Sequence, residues 1–192
     1  MIIAISGASN SGKTTFIEEL KDIYKNKCVI FNEIIRDIVS ESIDDLRKDK
    51  NKYFLVQNAI ISLKILQENT IKDKNKLYIF DRSLADSYYY FEKYVDKNIE
   101  GYKYFLNIIY KNLKNSINNI YNYIFLFSPL ENIEESKYRP SNLKNIQYKE
   151  FESIKKITYD VCLDHNKIYN INIIKNKKKI YTILNKEVEL WK

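Results

Sequence analysis

The 192 residues include only three glycines, two prolines, two cysteines and one histidine. Each scarcity narrows the reading. Cys28 and Cys162 stand far apart, with no metal-ligand spacing around them. That excludes a disulfide-stapled scaffold or a zinc module, and reads as two buried thiols in a reducing compartment. His165 falls near a predicted helix end, where a cap on the terminal carbonyls is the simpler reading than catalysis. No apolar run approaches the roughly 20 residues needed to span a bilayer. The stretch 121–127 is strand-sized. The opening MIIAISG lacks a basic segment and a small-residue cleavage site, so no signal peptide is expected and the cytoplasm is the expected location.

Basic charge is in excess, with a formal net charge of +7. Lysines at 25, 48, 74, 97 and 114 are scattered, and only 177–179 form a run. Abundant Lys, Asn, Ile and Tyr are the products of AT-rich codons, so the charge needs no polyanionic partner. Nucleic acid is accordingly not expected as a partner.

Apolar runs alternate with helical periodicity along the whole chain. Strands are expected at Ile2–Ser6, Cys28–Phe31, Leu77–Phe80, Tyr123–Phe127 and Ile168–Ile174. Helices are expected at Thr14–Tyr24, around Ile34–Ile38, and at Tyr53–Asn69, Leu84–Val95, Tyr102–Ser116 and Ile146–His165, with a last one to Leu190. Phe16, Ile17, Leu20 and Ile23 should share the buried face of the first. Leu55, Ala59, Ile60, Leu63 and Leu66 mark that of the third. The charged stretch Glu41–Lys50 reads as a loop. Buried strands alternating with helices predict an α/β domain with a parallel sheet covered on both faces. No linker or repeat interrupts it, so residues 1–192 are expected to form one domain.

Two of the three glycines, Gly7 and Gly12, fall within Gly7-Ala8-Ser9-Asn10-Ser11-Gly12-Lys13-Thr14, which fits G-x-x-x-x-G-K-[ST]. The segment follows a buried strand and opens a helix, the context in which backbone N–H groups cradle phosphates at a helix N-terminus. Gly7 to Thr15 are thus the candidate ATP-binding residues, with Lys13 reaching the β- and γ-phosphates and Thr14 ligating Mg²⁺.

Three further constellations carry chemistry. Asp81-Arg82-Ser83 ends the third strand, where a carboxylate can hold Mg²⁺ and a guanidinium can grip a phosphate. A helix cap by Asp81 or Ser83 is the alternative reading. Glu33 and Arg36 stand three apart on the short second helix, as proton acceptor and anion binder or as a surface ion pair. Pro129 and Pro140 bracket a polar segment that could close as a lid (129–145) and carry Arg139 over the transferring group; a plain surface loop is the alternative.

In order along the chain, these features resemble the P-loop nucleoside and nucleotide kinases. More narrowly, the chain is similar to the ribosylnicotinamide-kinase-like ATPases, with kinship to thymidylate and deoxynucleoside kinases. The resemblance rests on the phosphate loop, Glu33-x-x-Arg36, a helical Gln57, Asp81-Arg82-Ser83, and Arg139 at the end of an acidic lid. Where that family often has Asp-Gly in the lid, this chain has Ser136-Lys137. The resemblance implies a P-loop NTPase three-layer sandwich, its five-stranded parallel sheet ordered 2-3-1-4-5. It also implies transfer of the γ-phosphoryl of ATP to a nucleoside, a nucleoside monophosphate or nicotinamide riboside. Lys13, Glu33, Asp81, Arg82 and Arg139 are then the catalytic candidates, with Thr14 and Asp81 on Mg²⁺. Glu33 or Asp81 would orient or deprotonate the acceptor. Glu33, Arg36, Gln57, Arg82 and Tyr89, the last from the cluster Tyr88–Phe91 and Tyr94, would contact it, and a homodimer is compatible with this reading. A regulatory ATPase acting on a protein partner and a polynucleotide 5′-end kinase are the alternatives. A GTPase is not, because Asp81 is followed by Arg-Ser-Leu and no Asn-Lys-x-Asp occurs.

Overall fold

The computed structural model describes residues 1–40, 42–71, 73, 75–130 and 143–189. Five strands alternate with helices: β1 (Ile2–Gly7), α1 (Lys13–Tyr24), β2 (Cys28–Phe31), α2 (Ile35–Ile38), α3 (Ile43–Lys48), α4 (Lys50–Thr70), β3 (Leu77–Asp81), α5 (Leu84–Tyr94), α6 (Tyr102–Asn115), β4 (Tyr123–Phe127), α7 (Leu143–Val161), β5 (Ile168–Ile171), α8 (Ile173–Asn176) and α9 (Lys178–Glu189). All strand pairs are parallel, in the order β2-β3-β1-β4-β5. This is the expected P-loop NTPase sandwich.

The period-2 alternation of strands divides the core in two. Ile3, Ile5, Leu77, Ile79, Phe125 and Phe127 face Phe16, Ile17 and Leu20 of α1 and Ile180 and Leu184 of α9. Ala4, Phe80, Ile124 and Leu126 face the other way, onto α3 to α7. Register fixes the site: Ile5 pairs with Asp81, and Gly7 pairs with Phe127, so β1, β3 and β4 end along one edge. In a parallel sheet that carboxyl edge is where ligands bind. No helix among the described residues is long and apolar enough to cross a membrane.

Several expectations are corrected. The stretch read as a loop contains α3, whose first turn is capped by Ser42 accepting from the Asp45 amide at 3.1 Å. Only Leu46 of α3 is fully buried, which left too little apolar periodicity to detect. Ile23 is exposed, and Tyr24 takes its place in the core. In α4 the expected apolar face points outward: Leu55, Ala59, Leu63 and Leu66 are exposed, while Tyr53, Phe54, Gln57, Ile61, Lys64 and Glu68 are buried. β5 stops at Ile171 because Asn172 caps α8, its side chain accepting from the amides of Ile174 and Lys175. α7 starts earlier than expected and ends at Val161. His165 then places a ring nitrogen 3.1 Å from the carbonyl of Tyr159 in the last turn. Cys162 is buried, but Cys28 is only half-buried.

Candidate functional site

The phosphate loop is shaped by close backbone packing. Gly7 has φ +118°, and a Cβ there would lie 2.4 Å from the carbonyl oxygen of Phe127. Asn10 and Gly12 also have positive φ, after which α1 begins at Lys13. Residues Ser9 to Thr15, with Glu33, Asp81 and Arg82, enclose a cavity of about 210 Å³. Gly7 and Ala8 are not in its lining; their carbonyls accept from the Lys13 ammonium, which also donates to Ser11 Oγ. Lys13 is buried, and that burial lowers its pKa to about 8 against the partial compensation of Asp86, Asp81 and Glu150.

Two carboxylates brace the loop from outside it. Asp86 of α5 is fully buried and accepts from Ser6 Oγ, the Gly7 amide at 3.2 Å and the Ser83 amide at 2.9 Å. Glu150 of α7 accepts from the Ser9 amide at 3.1 Å, Ser9 Oγ at 3.0 Å and the Tyr90 hydroxyl.

At the end of β3, Asp81 and Ser83 divide the work the sequence had left open. Ser83 with Asp86 forms the capping box of α5. Asp81 instead lines the cavity, and its buried Oδ1 has no hydrogen-bond partner among the described residues. Burial raises its pKa, opposed by Arg82, Lys13 and Lys64. Arg82 between them has φ +75°. Its Nε donates to Glu33 Oε1 at 2.5 Å, and its Nη1 to the Tyr90 hydroxyl at 3.2 Å and Asp86 Oδ1 at 3.5 Å. Glu33 was expected on a helix beside Arg36; it lies just ahead of α2 and pairs with Arg82 across 49 residues. The Arg36 side chain and Arg139 fall outside the described residues, as does most of the lid, 131–142.

A second cavity, of about 570 Å³, adjoins the first. Its lining includes Gln57 and Lys64 of α4, Arg47 of α3, and Tyr90 and Tyr94 of α5. Tyr90 and Tyr94 stack at 6.2 Å, and the Arg47 guanidinium lies 3.7 Å over the Tyr94 ring. Tyr89 is not in this wall, contrary to expectation. Neighbouring helical positions point about 100° apart, so Tyr89 faces a separate groove with Lys93, which donates to its hydroxyl at 2.6 Å.

Sequence reasoning missed Lys64, Asp86 and Glu150, and did not single out Tyr90. A signal existed for Asp86: Ser83-x-x-Asp86 before an apolar run is a capping pattern. Lys64 and Glu150 had none, because each is brought to the site by tertiary packing alone.

The residues fit Mg²⁺ carried by phosphates. Thr14 offers an exposed hydroxyl and Asp81 an unsatisfied carboxylate oxygen, the hard oxygen donors this ion takes. No group of three His, Cys, Asp or Glu among the described residues could hold a metal unaided.

A phosphate loop leaving the central strand of a 2-3-1-4-5 parallel sheet is a P-loop NTPase α/β fold. The chain belongs to the AAA domain family, whose profile matches residues 2–169. Among solved structures, a NadR protein in complex with NR is similar, with a TM-score of 0.63 at 14% identity over 92% of this chain. This chain spans 46% of the NadR chain, about half its length. A deoxyadenosine kinase from M. mycoides with bound dCTP gives a TM-score of 0.61 at 19% identity, covering 97% of this chain and 98% of that one. A shikimate kinase from Acinetobacter baumannii, in complex with shikimate, gives 0.54 at 10% identity, over 97% and 93% of the two chains. No curated protein sequence matches this chain. At such identities the likeness is one of fold.

Proposed function

We propose that this protein is a Mg²⁺-dependent kinase that moves the γ-phosphoryl group of ATP to a hydroxyl of a nucleoside or nucleoside-like acceptor. One observation carries the reading: Ser9, Glu33, Asp81 and Arg82 line both the phosphate-loop cavity and the larger cavity beside it. A group held in one can therefore meet a group held in the other.

In this reading Gly7 to Thr15 hold the triphosphate, and Lys13 turns from its own loop to the β- and γ-phosphates. Mg²⁺ at Thr14 and Asp81 would supply charge neutralisation on the phosphates. Glu33 accepts the proton of the acceptor hydroxyl as its oxygen bonds to the γ-phosphorus and the bond to the β–γ bridging oxygen breaks, leaving ADP. Arg82 orients Glu33. Gln57, Tyr90 and Tyr94 line the space for the acceptor, Arg36 supplies a further anion contact, and Arg139 closes over the transferring group. Catalysis of this kind is chiefly positioning and electrostatics.

A hydroxyl suits the junction better than a phosphate. Glu33 and Asp81 face it, while the Arg82 charge is already met by Glu33 and Asp86. The similar structures include a deoxyadenosine kinase and a shikimate kinase, both named for hydroxyl-bearing substrates, and also a thymidylate kinase, named for a nucleoside monophosphate. We further read residues 1–192 as one kinase domain acting in the cytoplasm, and a sizing column distinguishes monomer from homodimer.

The test is ADP release from ATP·Mg²⁺ with single nucleosides, nucleoside monophosphates and nicotinamide riboside, with Lys13→Ala as control. Turnover that requires a nucleoside or nicotinamide riboside and vanishes in a folded Lys13→Ala protein supports the reading, whereas turnover that requires a nucleoside monophosphate keeps the kinase and overturns the hydroxyl acceptor. Turnover indifferent to every acceptor replaces it with a regulatory ATPase.

A further inference from the structure

We infer that Lys64 is a positioning residue for this transfer, holding the backbone turn that presents Asp81 to the phosphate loop. The inference rests on the kinase reading above for its meaning, though not for its test.

Lys64 sits on the inner face of α4 and is only 4% exposed. Its ammonium donates to the carbonyl of Asp81 at 3.3 Å and to that of Arg82. No carboxylate forms an ion pair with it among the described residues; Asp86, Glu68 and Asp81 only offset its burial from further away. A buried cation is costly where an apolar residue of similar length would pack. The two carbonyls account for its presence.

Those carbonyls belong to the turn that sorts the site. Arg82 has φ +75°, a left-handed conformation unfavourable for a residue with a Cβ. On its amide side the turn is fixed by the sheet, Arg82 N donating to the Ile5 carbonyl at 2.9 Å. On its carbonyl side the next peptide is held twice, by Lys64 on the Arg82 carbonyl and by Asp86 Oδ2 on the Ser83 amide at 2.9 Å. Between these anchors Asp81 lines the phosphate-loop cavity and the Arg82 guanidinium faces Glu33 and Tyr90. Without the ammonium, the Asp81 and Arg82 carbonyls lose their buried donor, and only the Ser83–Asp86 bond opposes relaxation of Arg82 toward negative φ. Asp81 and Arg82 then lose their separate directions together.

The experiment compares the full-length wild type with Lys64→Met, Lys64→Gln and Lys64→Arg. Binding of a fluorescent ATP analogue is titrated first in EDTA and then against Mg²⁺. Amide exchange over 81–86 is followed without nucleotide. The Met and Gln variants should bind the metal-free analogue as wild type does, yet need roughly 10-fold more Mg²⁺. They should also exchange faster over 81–86 and lose kcat by roughly 10–100-fold with little change in the KM for ATP. Lys64→Arg should recover part of the Mg²⁺ response. A folded Met or Gln variant with the wild-type Mg²⁺ midpoint and wild-type exchange overturns the inference. So does failure of both to fold, which makes Lys64 a stability residue. If wild type turns over no acceptor, the kinase reading fails, while the Mg²⁺ midpoint and exchange still decide the role of Lys64.

Discussion

Single atoms set the limits of the phosphate loop. Gly7→Ala puts a Cβ against the Phe127 backbone at 2.4 Å in a left-handed conformation, so β1 and β4 must part. A loss of about 3 kcal/mol or more is expected in urea unfolding. Gly12→Ala meets only the Ile173 side chain at 3.4 Å and should cost about 1 kcal/mol. Lys13 makes the loop pH-sensitive. Burial lowers its pKa from 10.5 to about 8, so the nucleotide-free protein loses this charge as pH rises through about 8. Bound phosphates favour the charged form. ATP-analogue affinity should therefore be full well below that value and fall about fivefold between pH 8 and 9. Calorimetry near pH 8 in two buffers should register proton uptake on binding, and Lys13→Ala should lack both effects. At this scale the sequence was informative where the site is contiguous, as from Gly7 to Thr15. It was silent where one atom must meet another across the fold, as Lys64 meets Arg82.

Helices contribute to the site through residues that break their apolar pattern. Gln57 and Lys64 of α4, which line the larger cavity, and Glu68, which accepts from Ser116 and Tyr121 further along, are each 4% exposed, whereas Leu55 on the outer side is 66% exposed. Reading the leucines as the core face inverted this helix, because a face built around a polar site does not carry the usual hydrophobic stripe. The strands were legible for the opposite reason: covered on both sides, they are simply apolar. α7 reaches the phosphate loop through Glu150, whose carboxylate holds the Ser9 amide. Incoming phosphates place like charge beside it. Glu150→Gln should keep the Ser9 and Tyr90 bonds while removing the repulsion. Roughly tenfold tighter binding of the ATP analogue is expected by titration. An unchanged Kd would mean that Glu150 swings clear when nucleotide binds.

For the molecule as a whole, β1, β3 and β4 converge on one edge, so nucleotide binding is tied to the global fold. At ATP·Mg²⁺ 100-fold above its Kd, unfolding should cost about 2.7 kcal/mol more, visible as a rise in Tm of roughly 5–10 °C. EDTA should remove much of that gain. The topology itself was reached through the resemblance, since alternating strands and helices alone do not order a sheet.

The same arrangement bears on how the chain is made. Ile2 pairs with Tyr78, and Gly7 rests against Phe127, so the first strand synthesised waits for the fourth. At ribosomal speeds the delay is on the order of ten seconds. Until β3 emerges, IIAIS is an unpartnered apolar segment, and until β4 does one of its edges stays open, the kind of surface that chaperones hold and that aggregates without them. ATP cannot shorten this exposure, because the seat of Gly7 does not exist until residue 127 has left the ribosome.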